Sequence, residues 1–447
     1  MMPQIPTSVQ HPDRRLVVVV RADPVICGHS GEARNLAEAA LLRGFTDVRI
    51  VTWPIEALGA LPLKPLDSVL PYSPGIVVER PDPVGDYKIP DGRYCAGMVG
   101  RLVELFSDGV PTVCVSLYLS PHATAVTEAL AICRAMGREP NVTTVAEAVG
   151  SDVTNVVRSC VEGGRFGAAA QVFTSYLGHD HCVAVSEYTR ECIIDAAVQV
   201  DERWGTSFAE QCRARVGISY PAIDCHAAAP SAEQVGAALA RRDLERDGYV
   251  LFLSRVTSEK GVDDLIDGFA ASGAAAGHRL VIAGTGPALM EMRARAAASP
   301  AASRISFLDD VDDAEKWCLM AGCAAFVLPS KPRPEFVETF GIALVEKMLA
   351  GGGPVITTAT GGILEAVGDT ATIVGTSRPD EIALALDDAL GGLDADRRRL
   401  LAEEARAYAL QFDRLAVFDQ LMRRVDPVES AERGGRRVVS QLGGPIG

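Results

Sequence analysis

The stretch Glu338-Thr-Phe-Gly-Ile-Ala-Leu-Val-Glu346 is the most informative part of this chain. Gly341 lets the main chain turn sharply, and the residues from Ile342 onward have the apolar spacing of a helix. The first N–H groups of such a helix have no intrahelical partner, so they suit the binding of a diphosphate. Glu346 suits ribose hydroxyls and Glu338 suits a sugar hydroxyl. A capped helix with two solvated glutamates is the competing interpretation.

Three other loops have the composition of a phosphate site. Leu253–Gly261 follows a strand-like run and opens a helix, and it places Arg255 and Lys260 where they can contact phosphate oxygens. Gly284-Thr-Gly-Pro287 is a turn at another strand end, and Gly361-Gly362 is followed by a glutamate three residues later. These loops make a binding site more probable than the helix alone does.

Strand-like and helix-like stretches alternate through both halves of the chain, which predicts parallel sheets with helices on both faces. We predict strands at Leu16–Arg21, Val48–Thr52, Gly75–Val78, Val113–Leu119, Val142–Val149, Cys182–Ser186, Tyr249–Ser254, Arg279–Ala283, Ile305–Leu308, Ala324–Leu328, Pro354–Thr357 and Thr372–Val374. At 447 residues the chain is longer than a single hydrophobic core usually supports, which predicts two domains. We predict an amino-terminal domain over 1–222, a carboxyl-terminal domain over 223–410, and over 411–447 a helix that packs back on the first domain, followed by a disordered tail.

The overall charge of the chain excludes several classes of function. A net charge of −15 repels nucleic acid and anionic lipid surfaces, so we expect no nucleic-acid partner and no stable membrane association. No apolar run approaches the roughly 20 residues of a membrane span, and residues 1–15 lack the core of a signal peptide. Eleven cysteines without a C-x-x-C pair fit a reducing cytoplasm.

The order of these motifs resembles the nucleotide-binding half of retaining glycosyltransferases of family 4. The shared series is strand–Arg–x4–Lys–Gly, Gly-x-Gly-Pro, Pro-Ser, Glu-x7-Glu and Gly-Gly-x-x-Glu, and it extends over Tyr249–Val367. The resemblance implies the architecture called GT-B, in which two Rossmann-like domains face each other across a cleft. It also implies a nucleotide-sugar donor, for which we expect UDP or GDP as the nucleotide, and no metal cofactor. The acidic charge of the chain favours a small, soluble acceptor.

The resemblance implies roles for individual positions. Arg255 and Lys260 would hold the donor diphosphate, Glu346 the ribose and Glu338 the transferred sugar. The predicted donor-binding set is Gly28, Gly31, Arg255, Lys260, Gly284, Val311, Glu338, Phe340, Gly341, Ile342, Ala343 and Glu346. The predicted catalytic set is Glu338, Arg255, Lys260 and His122.

The amino-terminal half resembles the family more faintly. Gly28 and Gly31 precede or open a helix, like the glycine loop that lies close to donor phosphate and acceptor. Val149 stands where the family has a cleft histidine, and His122 is the nearest replacement. A solvent-exposed histidine at a helix start is the alternative for His122. The departure at Val149 favours an unusual donor or acceptor, such as one in bacterial natural-product biosynthesis.

The mechanism implied by the family is displacement on one face of the sugar, in which the leaving phosphate takes the acceptor's proton. Two other functions stay open: a GT-B nucleotide-sugar epimerase or pseudo-glycosyltransferase, and a non-catalytic nucleotide-sugar sensor. The nucleotide base, the sugar and the acceptor atom (oxygen, nitrogen or sulfur) are not determined by these residues. A homo-oligomer is compatible with them.

Overall fold

The computed structural model describes residues 13–59, 63–85, 90–225, 230–333 and 336–426. These residues form two compact units. Unit 1 contains the chain up to Ala184, Ile193–Ala222 and the segment from Arg414, whereas unit 2 contains Val185–Cys192 and Ile223–Asp413. The predicted tail lies outside the described residues.

The strands are β1 (Arg15–Val19), β2 (Asp47–Val51), β3 (Ile76–Glu79), β4 (Thr112–Leu117), β5 (Val142–Ala148), β6 (His181–Ala184), β7 (Val216–Ile218), β8 (Tyr249–Leu253), β9 (Arg279–Ala283), β10 (Ile305–Leu308), β11 (Ala325–Leu328), β12 (Val355–Thr358) and β13 (Thr372–Val374). The α-helices are α1 (Gly28–Leu42), α2 (Pro90–Ser107), α3 (Thr124–Ala135), α4 (Arg158–Glu162), α5 (Phe166–Leu177), α6 (Glu187–Trp204), α7 (Phe208–Arg215), α8 (Ala232–Arg241), α9 (Val262–Ala271), α10 (Leu289–Ala298), α11 (Asp313–Gly322), α12 (Ile342–Ala350), α13 (Ile363–Val367), α14 (Pro379–Gly391), α15 (Ala395–Ala409) and α16 (Arg414–Val425). Shorter helical turns lie at Ile55–Leu58, Leu66–Ser68, Leu119–Ala123, Asp152–Val157, Ser258–Lys260, Ala274–Gly277, Ala302–Arg304 and Leu410–Phe412.

The described part of unit 1 contains a seven-stranded parallel sheet in the order β3-β2-β1-β4-β5-β6-β7. The central strand β1 is buried at every position, as expected of a parallel strand covered on both faces. The strand order reverses next to β1, and right-handed crossovers on either side of such a reversal place helices on both faces. The carboxyl ends of β1 and β4 therefore meet at a point where ligands bind in open α/β sheets.

Helix α16 belongs to unit 1 although it comes last in the described chain. Phe418 packs edge-on against Phe45, with ring centroids 5.6 Å apart. Asp419 accepts two hydrogen bonds from Arg43, at 2.6 and 2.7 Å, beside this contact. The apolar face of the helix and this ion pair fasten the end of the chain to the region around α1.

Unit 2 repeats the topology of unit 1. Its described residues form a six-stranded parallel sheet in the order β10-β9-β8-β11-β12-β13. The prediction of doubly wound α/β units is confirmed. No helix in the described ranges is long and apolar enough to cross a lipid bilayer.

Some predicted elements differ from the observed ones. The spacing over Glu162–Leu177 predicts one helix, but Glu162 ends α4 and α5 begins only at Phe166, because Gly164, with φ +65°, lies between them. The pattern over Arg397–Val425 also predicts one helix, but a turn at Leu410–Phe412 separates α15 from α16. Strand β7 was not predicted, because three residues with one glycine give no strand signal.

Candidate functional site

The loop after β8 is packed against two neighbouring loops of unit 2. Gly284, with φ +134°, lies so close to this loop that an added Cβ would be 2.0 Å from the Ser254 carbonyl oxygen. Gly261, with φ +68°, leaves equally little space, since its Cβ would be 2.1 Å from the Pro329 oxygen. Both positions therefore require glycine. The Gly-x-Gly-Pro and Lys-Gly motifs bring the loops after β8, β9 and β11 together.

Lys260 and Glu338, which are 78 positions apart, form an ion pair in this region. Their side chains are 8% and 12% exposed, and the Lys260 ammonium also lies 5.1 Å from the centroid of the Phe336 ring. Gly362 donates its N–H to the Glu338 carbonyl at 3.0 Å. Gly361 lies so close that a Cβ there would be 2.0 Å from the same oxygen. The Gly-Gly turn thus fixes the main chain of Glu338.

Helix α12 begins at Ile342, four residues after Glu338. Gly341 precedes its first residue with φ +102°, and no side chain caps the helix start. Phe340 is buried and packs edge-on against Phe412, at 5.0 Å between centroids, which anchors the approach to the helix. The first backbone N–H groups, those of Ile342 and Ala343, have no carbonyl earlier in the helix to bond to. They follow Glu338, the ion-pair partner of Lys260, by four and five residues, so a cation and a helix N-terminus, both of which favour anions, belong to the same part of unit 2.

Glu346 lies on the second turn of α12. Its carboxylate accepts a hydrogen bond of 2.6 Å from the Lys316 ammonium of α11, and the two side chains are 17% and 19% exposed. Lys316 was not identified from the sequence, because no motif links it to Glu346. The residue before α11, Asp312, caps that helix by accepting from the Glu315 N–H at 2.7 Å.

Arg255 and Val311 are the remaining predicted site residues of unit 2. Arg255 lies two residues beyond β8, is exposed, and has no ion-pair partner among the described residues. Val311 is half-buried in the loop between β10 and α11. The predicted positions of unit 2 therefore lie in the loops after β8, β9 and β10 and at the start of α12.

The Glu365 carboxylate has a structural partner in the same unit. It accepts the N–H groups of Glu187 at 2.8 Å and Tyr188 at 3.2 Å. These are first-turn residues of α6, where a carboxylate satisfies N–H groups that have no intrahelical partner. The last glutamate of the Gly-Gly-x-x-Glu motif therefore caps a helix.

In unit 1, α1 begins at Gly28, and Gly28 and Gly31 are both exposed. A Cβ at Gly31 would meet nothing within 4 Å, so packing within the described structure does not require glycine there. Val149 is buried at the end of β5, where its N–H is 3.3 Å from the Asp152 carboxylate. Asp152 also accepts from Leu119 and Gly150 and organises this turn.

His122 is buried, at 1% exposure, and is not the exposed residue that the sequence allowed. Its Nδ1 lies 2.7 Å from the Leu117 carbonyl oxygen, and the indole N–H of Trp53 donates to its Nε2 at 3.0 Å. This pattern fixes the neutral ring, with the proton on Nδ1. Burial lowers the pKa of His122 to about 4. Both nitrogens are therefore occupied, which argues against a role in proton transfer.

Two buried glutamates of unit 1 were missed by the sequence analysis. Glu32 on α1 and Glu147 on β5 are both 3% exposed and lie against each other. Burial raises the pKa of Glu32 to about 7, and burial together with the charge of Glu32 raises the pKa of Glu147. The signal that could have revealed the pair is a glutamate, Glu147, within the otherwise uncharged strand-like run Val142–Val149.

The loop His179–Cys182 contains side chains that ligate metals in other proteins, but here they have separate partners. His179 contacts the Ser175 carbonyl at 2.8 Å, and Asp180 accepts from the Thr144 N–H at 2.8 Å. Cys182 donates to the Tyr176 carbonyl at 3.2 Å. In the described ranges, no group of three His, Cys, Asp or Glu side chains is arranged to hold a metal ion.

Two doubly wound units, with glycine-rich loops and a bare helix start after the central strands of the second, define the GT-B class of fold. Comparison with solved structures agrees. HepE of Anabaena, in complex with UDP and glucose, has a TM-score of 0.67 and 17% identity, over 92% of this chain and 99% of HepE. Sucrose-phosphate synthase from Thermosynechococcus elongatus has a TM-score of 0.62 and 18% identity, over 94% of this chain and 100% of that enzyme. The predicted GT-B fold is confirmed.

The family-model match found by sequence comparison lies in unit 2. Residues 240–408 match the family model of glycosyl transferases group 1. A glycogen synthase from Mesorhizobium japonicum is 33% identical over 156 residues, which is 34% of this chain. The match spans only 30% of the length of that relative. The group 1 similarity therefore coincides with the unit that contains Lys260, Glu338 and Glu346.

Proposed function

We propose that the protein is a retaining glycosyltransferase that moves a sugar from a nucleotide diphosphate sugar to a small acceptor. The observation that carries the proposal is the Lys260–Glu338 pair beside the uncapped start of α12, within a segment that matches glycosyl transferases group 1. A diphosphate is the ligand that a buried ammonium and a helix N-terminus bind together.

The donor would be held by groups from three parts of unit 2. Lys260 and Arg255 would contact the diphosphate oxygens, together with the first N–H groups of α12. Glu346 would accept hydrogen bonds from the ribose hydroxyls, and Glu338 would contact the transferred sugar. HepE was solved with UDP and glucose and with UDP-glucose, so a UDP-sugar is the donor to test first.

The reaction follows from these groups. The acceptor atom attacks the anomeric carbon on the face from which the diphosphate leaves, as the bond from that carbon to the diphosphate oxygen breaks. The acceptor's proton passes to the departing phosphate, so the protein need not supply a strong base. Lys260, Arg255 and the start of α12 would stabilise the charge that develops on the diphosphate. His122 has no part in this scheme, because both of its nitrogens are engaged.

The proposal is tested with the full chain and a panel of donors. Thermal shifts with UDP, GDP, ADP and dTDP identify the base, because a ligand stabilises the folded state that binds it. The matching sugar nucleotides are then incubated with small hydroxyl, amine and thiol acceptors. A product with the donor's anomeric configuration supports the proposal. A nucleotide sugar whose sugar is epimerised without transfer to an acceptor would instead indicate an epimerase. Nucleotide binding without turnover across the panel would indicate a sensor.

Turnover should continue in excess EDTA. Cationic side chains and a helix start, rather than a metal ion, would neutralise the leaving diphosphate in this proposal. Nucleotide release is measured after dialysis against EDTA, with and without added magnesium or manganese. Complete loss of turnover that either metal restores would contradict this account of the leaving group.

Replacing the two glutamates of the Glu-x7-Glu motif should have different effects on nucleotide binding and on turnover. Glu346→Ala should weaken UDP and the intact donor alike, by about tenfold, because both carry the ribose. Glu338→Ala should bind UDP nearly normally but lose much of kcat, because a contact strengthened in the transition state affects rate rather than ground-state binding. Calorimetry and initial rates measure the two effects.

Glu233→Ala is the matched control for this pair of variants. Glu233 is an exposed glutamate in the first turn of α8, so its replacement should change UDP binding by less than about 0.5 kcal/mol. If Glu338→Ala keeps full activity, the role given to that residue is wrong. If Glu346→Ala behaves like Glu233→Ala, the ribose contact is wrong.

A further inference from the structure

Strand β10 lies at one edge of the unit 2 sheet, and within the described residues it pairs only with β9. Its sequence, Ile305-Ser-Phe-Leu308, has no charged residue, and all four residues are half-buried. The Gly284 N–H donates to the Leu308 carbonyl at 2.8 Å, so Leu308 directs its main-chain groups toward β9. These groups alternate in direction along a strand, and the N–H and carbonyl of Phe307 therefore point away from the sheet. Neither group has a main-chain partner among the described residues.

The other three edge strands of the described sheets each have a feature that hinders pairing with another chain. On β7, Arg424 donates to the Ile218 carbonyl at 2.8 Å, and a Cβ added at Gly217 would be 2.1 Å from its Nη1, so Arg424 covers this strand. Strand β3 contains a charged residue, Glu79, and β13 is only three residues long. Strand β10 has none of these features, and an uncharged free edge is a template for one more strand.

A shallow groove runs beside β10 on the face that carries α10. The groove is lined by small, aromatic and basic side chains, namely Arg293, Ala296, Ala297, Ala302, Ile305 and Phe307. Ile305 and Phe307 share this face because they are two positions apart on the strand. The Arg293 guanidinium carbon lies 5.6 Å from the centroid of the Phe307 ring. The alanines leave space in the groove for an apolar side chain from an added strand.

The two ends of β10 carry charges of opposite sign. Arg304 precedes the strand, donates to the Ala275 carbonyl at 2.5 Å, and has no carboxylate partner among the described residues. Asp309 and Asp310 follow the strand, and although each has an arginine partner in the same chain, their side chains are 51% and 67% exposed. An identical strand that pairs antiparallel brings the arginine of each copy beside the aspartates of the other. Parallel pairing would instead place like charges together.

We propose that β10 pairs antiparallel with β10 of a second copy of this chain, about a twofold axis, to form a homodimer. The axis lies at Phe307, where the N–H and the carbonyl are both free, because the Ile305 N–H already donates to the Ala302 carbonyl. Each Phe307 then bonds the same residue of the other copy through two hydrogen bonds, and its ring lies against the groove beside the other strand. Such a contact is self-complementary, as a twofold interface requires. The inference does not depend on the proposed function, because no residue of the proposed donor site contributes to it.

The test measures the mass of the full chain in solution by analytical ultracentrifugation, at concentrations from about 1 to about 100 μM. We expect a monomer–dimer equilibrium in the unaltered protein. Phe307→Lys places an ammonium group at the centre of the contact and should raise the Kd of the dimer at least about tenfold. Phe307→Tyr keeps the ring and should keep the dimer. Val77→Lys is the matched control, because Val77 is 45% exposed on another edge strand, β3, and it should leave the Kd of the dimer unchanged.

A cysteine at the same position tests the location of the axis. Residues that form a hydrogen-bonded antiparallel pair have Cα atoms about 5.5 Å apart, which a disulfide can span. Under mild oxidation Phe307→Cys should therefore give a covalent dimer on a non-reducing gel, and Val77→Cys should not. A monomer at every concentration overturns the inference, as does a dimer whose Kd is the same in Phe307→Lys, or a Phe307→Cys variant that cross-links no more than Val77→Cys. If thermal unfolding shows that Phe307→Lys does not fold, the cross-linking result decides.

Discussion

Replacing Lys260 by alanine should weaken UDP binding by roughly 1.5–3 kcal/mol, which corresponds to about a 10- to 150-fold rise in Kd. The Lys260 ammonium is largely buried beside Glu338, and the uncapped start of α12 follows Glu338 by four residues. A charge-assisted contact with phosphate is stronger there than at a fully solvated site. Arg255→Ala should weaken UDP binding in the same range. Calorimetric titration of the full chain with UDP measures both.

The pairing with Glu338 calls for a control, because Lys260→Ala also leaves a buried carboxylate without its partner. Adding Glu338→Gln to Lys260→Ala should recover folding stability but not UDP affinity. Lys347→Ala serves as the matched variant. Lys347 is also a buried lysine, but its Nζ contacts the Gly351 and Gly353 carbonyls at the far end of α12. It should lose stability and keep UDP affinity. Unchanged Kd in both Lys260→Ala and Arg255→Ala would remove the phosphate assignment.

Much of the fold follows from local sequence. The central strands are short apolar runs that are buried on both faces. The same apolar sequence therefore predicts both the strand and its burial. Glycines such as Gly261 and Gly284 mark places where two loops touch, and the structure leaves no space there for a Cβ. Motifs of this kind are local, and their spacing predicted where the polar site of unit 2 lies.

The parts that sequence reasoning missed depend on contacts between distant segments. His122 is buried, and it accepts a hydrogen bond from Trp53, 69 positions earlier. Lys316 reaches Glu346 only because α11 packs beside α12 in the folded unit. Nothing in the spacing of these residues encodes the contact. Burial likewise decides the protonation of Glu32 and Glu147, and burial is a property of the assembled sheet rather than of either segment.

The stability of unit 1 should fall as the pH rises from about 4.5 to about 7 because of the Glu32–Glu147 pair. Burial raises the pKa of both carboxyls, that of Glu32 to about 7. The folded state therefore holds more protons than the unfolded state in this window, and stability decreases until the pH exceeds the folded pKa. Each pKa unit corresponds to about 1.4 kcal/mol, so the loss attributable to Glu32 is on the order of 3 kcal/mol.

Glu32→Gln should therefore be more stable than the unaltered protein at pH 8, by on the order of 3 kcal/mol, and nearly equal to it at pH 5. Urea denaturation followed by tryptophan fluorescence measures this, since Trp53 and Trp204 lie in unit 1. His122 and His179 oppose the trend, because burial lowers the pKa of each to about 4 and this adds stability as the pH rises from about 4 to about 6.5. Asp152, whose pKa burial raises to about 6, adds to the trend. These groups are common to both proteins, so the difference between variant and unaltered protein isolates the pair.

Glu128→Gln, at an exposed glutamate of α3, removes the same formal charge from the surface. Its stability should follow that of the unaltered protein at every pH, within about 0.5 kcal/mol. Glu147→Gln should likewise be more stable than the unaltered protein at high pH, because it removes the second carboxyl whose pKa is raised by burial. If Glu32→Gln and Glu147→Gln both keep the pH dependence of the unaltered protein, burial does not raise the pKa of these two carboxyls. Their burial would then be stabilised by partners other than each other.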